Sequence, residues 1–183
     1  MRHALDKDGI YQDAFLLLHL VHGAEESAEM NAEPRPERAN SPIGGVRYWS
    51  RLQRHVSELL VSVSIRSRII FDDEYPKHLA TLPKRREIGY FFDPTDPTED
   101  MKEGEYLSVR DACNKVLHAG FVNLIRSGGE RDASWTGLAE LRGTDQQGKP
   151  WCVCLFVDTF ASELCDVLGE LEAALNCGQE QQG

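Results

Sequence analysis

Cysteines at zinc-binding spacing, a glycine-rich loop able to cradle phosphate and a Gly-x-Ser-x-Gly elbow are all missing from this chain. Zinc hydrolases, nucleotide-binding folds of the phosphate-loop kind and the common serine hydrolases therefore have no footing in it. The five cysteines are odd in number. Cys152 and Cys154 stand two apart, so on a strand both thiols point the same way among apolar neighbours, which reads as a buried thiol pair. Reduced thiols fit a cytoplasmic protein. No apolar run approaches the ~20 residues of a membrane span. The run from Ala14 to Val21 is short, contains His19 and follows acidic residues, so it has no secretory pattern and no membrane partner is expected. Positive charge is scarce: 20 Lys and Arg stand against 30 Asp and Glu, a net charge of −10. That excludes a nonspecific phosphate-binding surface over the whole molecule and requires any nucleic-acid contact to be a local basic patch. An acidic surface can itself bind a basic groove on another protein.

What is present fits a single domain over residues 1–183, with a mobile loop at 25–45 and a frayed tail at 176–183. The hydropathy pattern predicts an α+β, mainly helical fold: long core helices and a small three-stranded antiparallel sheet near the C-terminus. A first helix is predicted over 9–24, with His19 and His22 one turn apart as core or interface histidines. The longest helix is predicted over 46–70, where Trp49, Leu52, Val56, Leu59, Leu60, Val63 and Ile70 recur at three- and four-residue steps. Arg66 and Arg68 precede Asp72, Asp73 and Glu74, which points to intramolecular ion pairs. Strands are predicted over 121–125, 136–142 and 151–157, the last two joined by a hairpin loop at 143–150. Trp151, Val153, Leu155 and Val157 share one face of the last strand and Cys152, Cys154 and Phe156 the other; both are partly apolar, so one face is expected to meet helices and the other a terminal segment. A final helix over 159–175 buries Phe160, Leu164, Val167, Leu168, Leu171 and Leu175.

The chemistry concentrates in residues 107–118. Ser108 is a good N-cap, Asp111 stands where a capping-box acid stands, and Gly120 is expected to close the helix. At ~100° per residue, Val109, Ala112, Cys113, Val116 and Leu117 form one face. Arg110, Asp111, Asn114, Lys115 and His118 form the other. The bland account of that polar face is an Asp111–Lys115 pair one turn apart, with His118 at the negative end of the helix. Elsewhere, Lys84, Arg85 and Arg86 make the most basic spot on the chain, a candidate binding patch, and Tyr90, Phe91 and Phe92 nearby are either stacking surfaces or packing residues.

The long helix ending Ser-Ile-Arg-Ser-Arg-Ile-Ile-Phe-Asp, the segment Ser-Val-Arg-Asp-Ala-Cys-Asn-Lys-Val-Leu-His-Ala and the last helix resemble the HEPN-like group of prokaryotic proteins. The resemblance covers roughly half of the chain. Its signature is an Arg, a polar residue and a later His; Arg110 and Asp111 match, while His118 follows Arg110 after seven intervening residues, a longer interval than usual. The resemblance implies a helical, dimeric protein of a defence system or a phage, acting on RNA as a metal-independent ribonuclease with no cofactor. His118 would then be the acid or base, Arg110 or Lys115 the phosphate-binding cation, and Asn114 a phosphate or imidazole partner, with Asp111 beside them. A homodimer is expected through the apolar stripe of the long or the motif helix. The rival reading is a noncatalytic, acidic binding or inhibitory protein that occupies a basic groove on a host protein, with Glu25, Glu26 and Glu29 and Glu99, Asp100, Glu103 and Glu105 as candidate contacts.

Overall fold

The computed structural model describes residues 7–31, 46–73, 87–92, 107–128 and 134–180. Helices α1 (Lys7–Asn31) and α2 (Val46–Asp73) precede the short strand β1 (Gly89–Phe92). Helix α3 (Val109–His118) then runs directly into the meander β2 (Ala119–Ser127), β3 (Ser134–Thr144) and β4 (Pro150–Phe156), and α4 (Val157–Glu180) follows without a loop. The architecture is therefore mainly helical with a small antiparallel sheet. The sheet has four strands in the order β1-β4-β3-β2, not three. The fourth is β1, whose four residues are too short to show alternation, and whose identity as a strand depends on pairing with β4 across a long stretch of chain.

The register sorts the side chains. Directly opposed residues share a sheet face. Val122, Leu141, Val153 and Phe91 form one row across the sheet, and Leu124, Ala139, Leu155 and Gly89 a second, both on the side that meets the helices. The other side carries the rows Asn123-Glu140-Cys154-Tyr90 and Phe121-Arg142-Cys152-Phe92. The predicted division of β4 into two faces thus holds, with the Val153 and Leu155 side on the helices.

The helical stripes place the core. Leu52, Val56, Leu59, Leu60, Val63 and Ile70 of α2 are buried, as are Phe160, Leu164, Val167, Leu168 and Leu171 of α4 and Ile10, Ala14, Leu17, Val21 and Ala24 of α1. Helix α1 is joined to α2 by the Asp13 carboxylate, which accepts from Ser62 Oγ at 2.7 Å and Arg66 Nη1 at 2.9 Å. Arg66 thus pairs across helices, whereas Arg68 pairs within α2, with Asp72 at 2.6 Å.

Several predicted boundaries move. Helix α1 continues through residues 25–31, which were expected in the loop, and α4 continues to Glu180 through most of the expected tail. His19 and His22 lie on the exposed side of α1; His19 Nδ1 sits 2.9 Å from the Phe15 carbonyl oxygen and its ring 3.9 Å from that of Phe15. Gly120 does not close α3. Ala119 is the C-cap in extended backbone, and Gly120 is already part of β2. The β3–β4 turn is tighter than 143–150 because the Asp145 carboxylate accepts from the Gln147 and Lys149 amides, both at 2.8 Å.

Candidate functional site

The motif helix starts as its sequence requires. Ser108 is the N-cap, its hydroxyl accepting the Asp111 amide at 3.1 Å while the Asp111 carboxylate accepts the Ser108 hydroxyl in return. Val109, Ala112, Cys113 and Val116 are buried below. Burial pushes the Cys113 thiol up to about 12, so this sulfur is a packing atom and not a nucleophile.

The polar face is divided among separate structural tasks. Arg110 donates from Nη2 to Asp72 Oδ1 at 2.7 Å and ties the start of α3 to the end of α2. Asp111 belongs to the cap, so the anticipated Asp111–Lys115 pair is not formed. Lys115 instead places its Nζ 4.3 Å from the Trp151 ring centroid and 4.9 Å from that of Phe91, a cation–π contact with two strands at once. Asn114 is half-buried, and His118 is exposed at the last position of the helix. His118 stands eight positions after Arg110, about 12 Å along the axis at ~1.5 Å per residue. The imidazole and the guanidinium therefore do not converge on one phosphate-sized volume, and both candidate cations already have partners. Lys84, Arg85 and Arg86 lie outside the described residues. Tyr90 and Phe92 look outward from β1, their rings 6.3 Å apart, and Phe91 looks inward.

Asp72 carries an electrostatic prediction. Hydrogen bonds from Arg68, the larger influence, and then Arg110 hold its carboxyl below the ordinary aspartate value. A folded-state value that is depressed stabilises the fold above the ordinary value and loses that contribution as pH falls through the lower one. The α2–α3 tether should therefore persist unchanged from neutrality down to that acid range. A carboxyl-carbon NMR titration of Asp72 checks it: Arg68→Ala should raise the midpoint more than Arg110→Ala, and the reverse order would refute the assignment.

A second cluster lies on the far side of the sheet. Glu140 Oε1 accepts from Arg142 Nε at 2.7 Å and from Cys152 Sγ at 3.6 Å, and Oε2 accepts from Asn123 Nδ2 at 3.3 Å. Burial, with Glu140 second, raises the Cys152 thiol to about 11. The carboxylate is fully engaged, and the thiol beside it is protonated at neutral pH.

The feature that the sequence reading passed over is α4. It carries Asp158, Glu163, Asp166, Glu170, Glu172 and Glu180 and neither lysine nor arginine. Its signal was legible as a 24-residue run without a cation. Asp166 is exposed and Glu170 is half-buried, with Thr159, Ser162, Gly169 and Ala173 around them, so the outer surface of the helix is acidic and sterically smooth. Neighbouring groups register this charge. Cys165 is raised by burial and then by Asp166, and the Tyr11 phenol by burial, then Glu172, then Cys165. Lys7 of α1 reaches Glu172 at 3.5 Å.

Comparison with known proteins adds no identity: no family model, no curated protein and no solved structure matches the chain. Among the described residues no helix is long and apolar enough to cross a membrane, and no group of three or more His, Cys, Asp or Glu could hold a metal ion.

Proposed function

We propose that this protein is a noncatalytic, acidic binding protein that occupies a basic groove on a partner protein, with the outer face of α4 as the contact. The observation that carries the reading is the pair Asp166 and Glu170, one turn apart on the outer face of a helix that has neither Lys nor Arg. Like charges one turn apart repel, and a cationic partner turns that cost into attraction, faster association and selectivity against acidic competitors. The net charge of −10 steers in the same direction. The small side chains at 159, 162, 169 and 173 allow close approach of a partner surface.

The ribonuclease reading retains His118 and Asn114 as accessible groups, but its cations are occupied: Arg110 by Asp72, and Lys115 by two aromatic rings. One pair of experiments separates the two. Immobilised protein should retain basic proteins from a cell extract in low salt and release them to a duplex DNA competitor. The Asp166→Lys/Glu170→Lys variant should retain at least about tenfold less, since close interfacial charge pairs are worth more than ~1.4 kcal/mol. Retention that ignores both the charge reversal and the competitor would remove the proposal. In parallel, labelled RNA in EDTA should survive incubation with wild type and with His118→Ala alike. Cleavage that requires His118 would establish the enzyme instead.

A further inference from the structure

Helix α2 exposes a second surface of a different kind. Val61, Ile65 and Ile69 follow one another at four-residue steps on its outer side, with exposures of 38%, 46% and 45%. Scattered apolar residues on a surface are ordinary, but β-branched side chains in a four-residue row form a ridge that fits the groove of another helix. At 3.6 residues per turn Arg54, Glu58, Arg68 and Asp72 share this side of the helix.

The order of these residues is self-complementary. When α2 is laid antiparallel on a copy of itself with Val61 opposite Ile65, Arg54 falls opposite Asp72 and Glu58 opposite Arg68. Both meetings are between opposite charges, and each occurs twice across a two-fold axis. The neighbouring registers fail. Setting Val61 against its own copy opposes Arg54 to Arg68, and setting Ile65 against its own copy opposes Glu58 to Asp72. Like charges meet in both.

We infer that α2 docks a second copy of this chain, antiparallel about a two-fold axis, with Val61 against Ile65 of the partner subunit. A shallow crossing of about 20°, the angle at which three-residue rows of one helix enter the four-residue grooves of the other, keeps the two helices close over several turns, far enough for the flanking pairs to meet. Asp72 already accepts Arg68 and Arg110, and a carboxylate has roughly four lone-pair sites, so it has capacity for the partner's Arg54. Arg68 has five N–H donors, about two of them used by Asp72, which leaves donors for the partner's Glu58. The interface is the outer side of α2 and not the expected apolar stripe of either helix, since the core occupies both stripes. It is separate from the α4 face, so either proposal can fail alone.

Analytical ultracentrifugation of the full chain tests it. The wild type should show a monomer–dimer equilibrium over micromolar concentrations. Ile65→Glu, at an exposed position, should weaken it at least about tenfold with an unchanged circular-dichroism spectrum. Glu58→Arg should weaken it as well, and adding Arg68→Glu should recover most of the loss. Oxidation of the Val61→Cys/Ile65→Cys variant should give a covalent dimer whose mapped linkage joins residue 61 of one chain to residue 65 of the other, a readout that stands if Ile65→Glu fails to fold. A monomer at every concentration, a dimer indifferent to both charge and Ile65, or linkage confined to other cysteines would each overturn the inference.

Discussion

Trp135→Ala should lower the unfolding free energy by about 3–5 kcal/mol, the largest single-residue effect expected in this protein. The indole is 1% exposed, the largest side chain in the core, and its Nε1 donates to the Leu138 carbonyl at 2.8 Å. Truncation removes apolar area, leaves a cavity that neighbours fill only in part, and strips a donor from a carbonyl in the same strand. The carbonyl matters because β3 is irregular there: Gly137 has φ +76 and a Cβ at that position would lie 2.9 Å from Val21 Cγ1. The indole bridges this bend. For a chain of this size the melting temperature should fall by ~2–4 °C for each kcal/mol. Urea denaturation followed by circular dichroism measures the effect. Trp135→Phe should recover the packing but not the hydrogen bond, leaving a deficit of about 1 kcal/mol. A loss under about 1 kcal/mol for alanine would mean that the core collapses around the site and that the bend does not depend on the ring.

Gly143→Val should cost at least about 1–3 kcal/mol, although valine is the better strand residue by propensity. Gly143 lies directly opposite Trp151 on β4 and opposite Ala119 on β2. A Cβ there would press into the Trp151 indole and stand 2.7 Å from the His118 carbonyl oxygen. The carbonyl belongs to the junction where α3 passes into β2, so it cannot yield as a side-chain tip can. The ring must move instead, and it is one of the two on which Lys115 rests. Two readouts should change together: the urea midpoint falls, and the Trp151 indole resonance shifts toward that of a Lys115→Met variant. An unperturbed indole with a normal midpoint would show that the glycine is not a steric requirement.

Much of the helical framework could be read from residue order. The stripes of α2 from Leu52 to Ile70 and of α4 from Phe160 to Leu171 are buried where their three- and four-residue spacing puts them, while Trp49 is half-buried and the Leu175 side chain lies outside the described residues; a helix face is decided by residues a turn apart in sequence. The Ser108 cap is equally local: hydroxyl, amide and carboxylate are within three residues. The boundaries were less legible. Nothing in the sequence distinguishes a Gly120 that ends a helix from one that sits in a strand, since glycine serves both. Strand β1 escaped prediction as a sheet member because four residues among prolines acquire strand identity from a partner more than fifty positions away.

The candidate site divides in the same way. Composition and helical periodicity by themselves determined an acidic protein, a motif helix with one polar face, and the residues Arg110, Asp111, Asn114, Lys115 and His118 along it. Only the tertiary structure decided what those residues do. It brought Asp72 from 38 positions away to Arg110, and Phe91 and Trp151 from two different strands to Lys115. A charged side chain takes whichever opposite charge or ring face folding brings within reach, and that neighbour is chosen by strand pairing and helix packing, not by spacing along the chain.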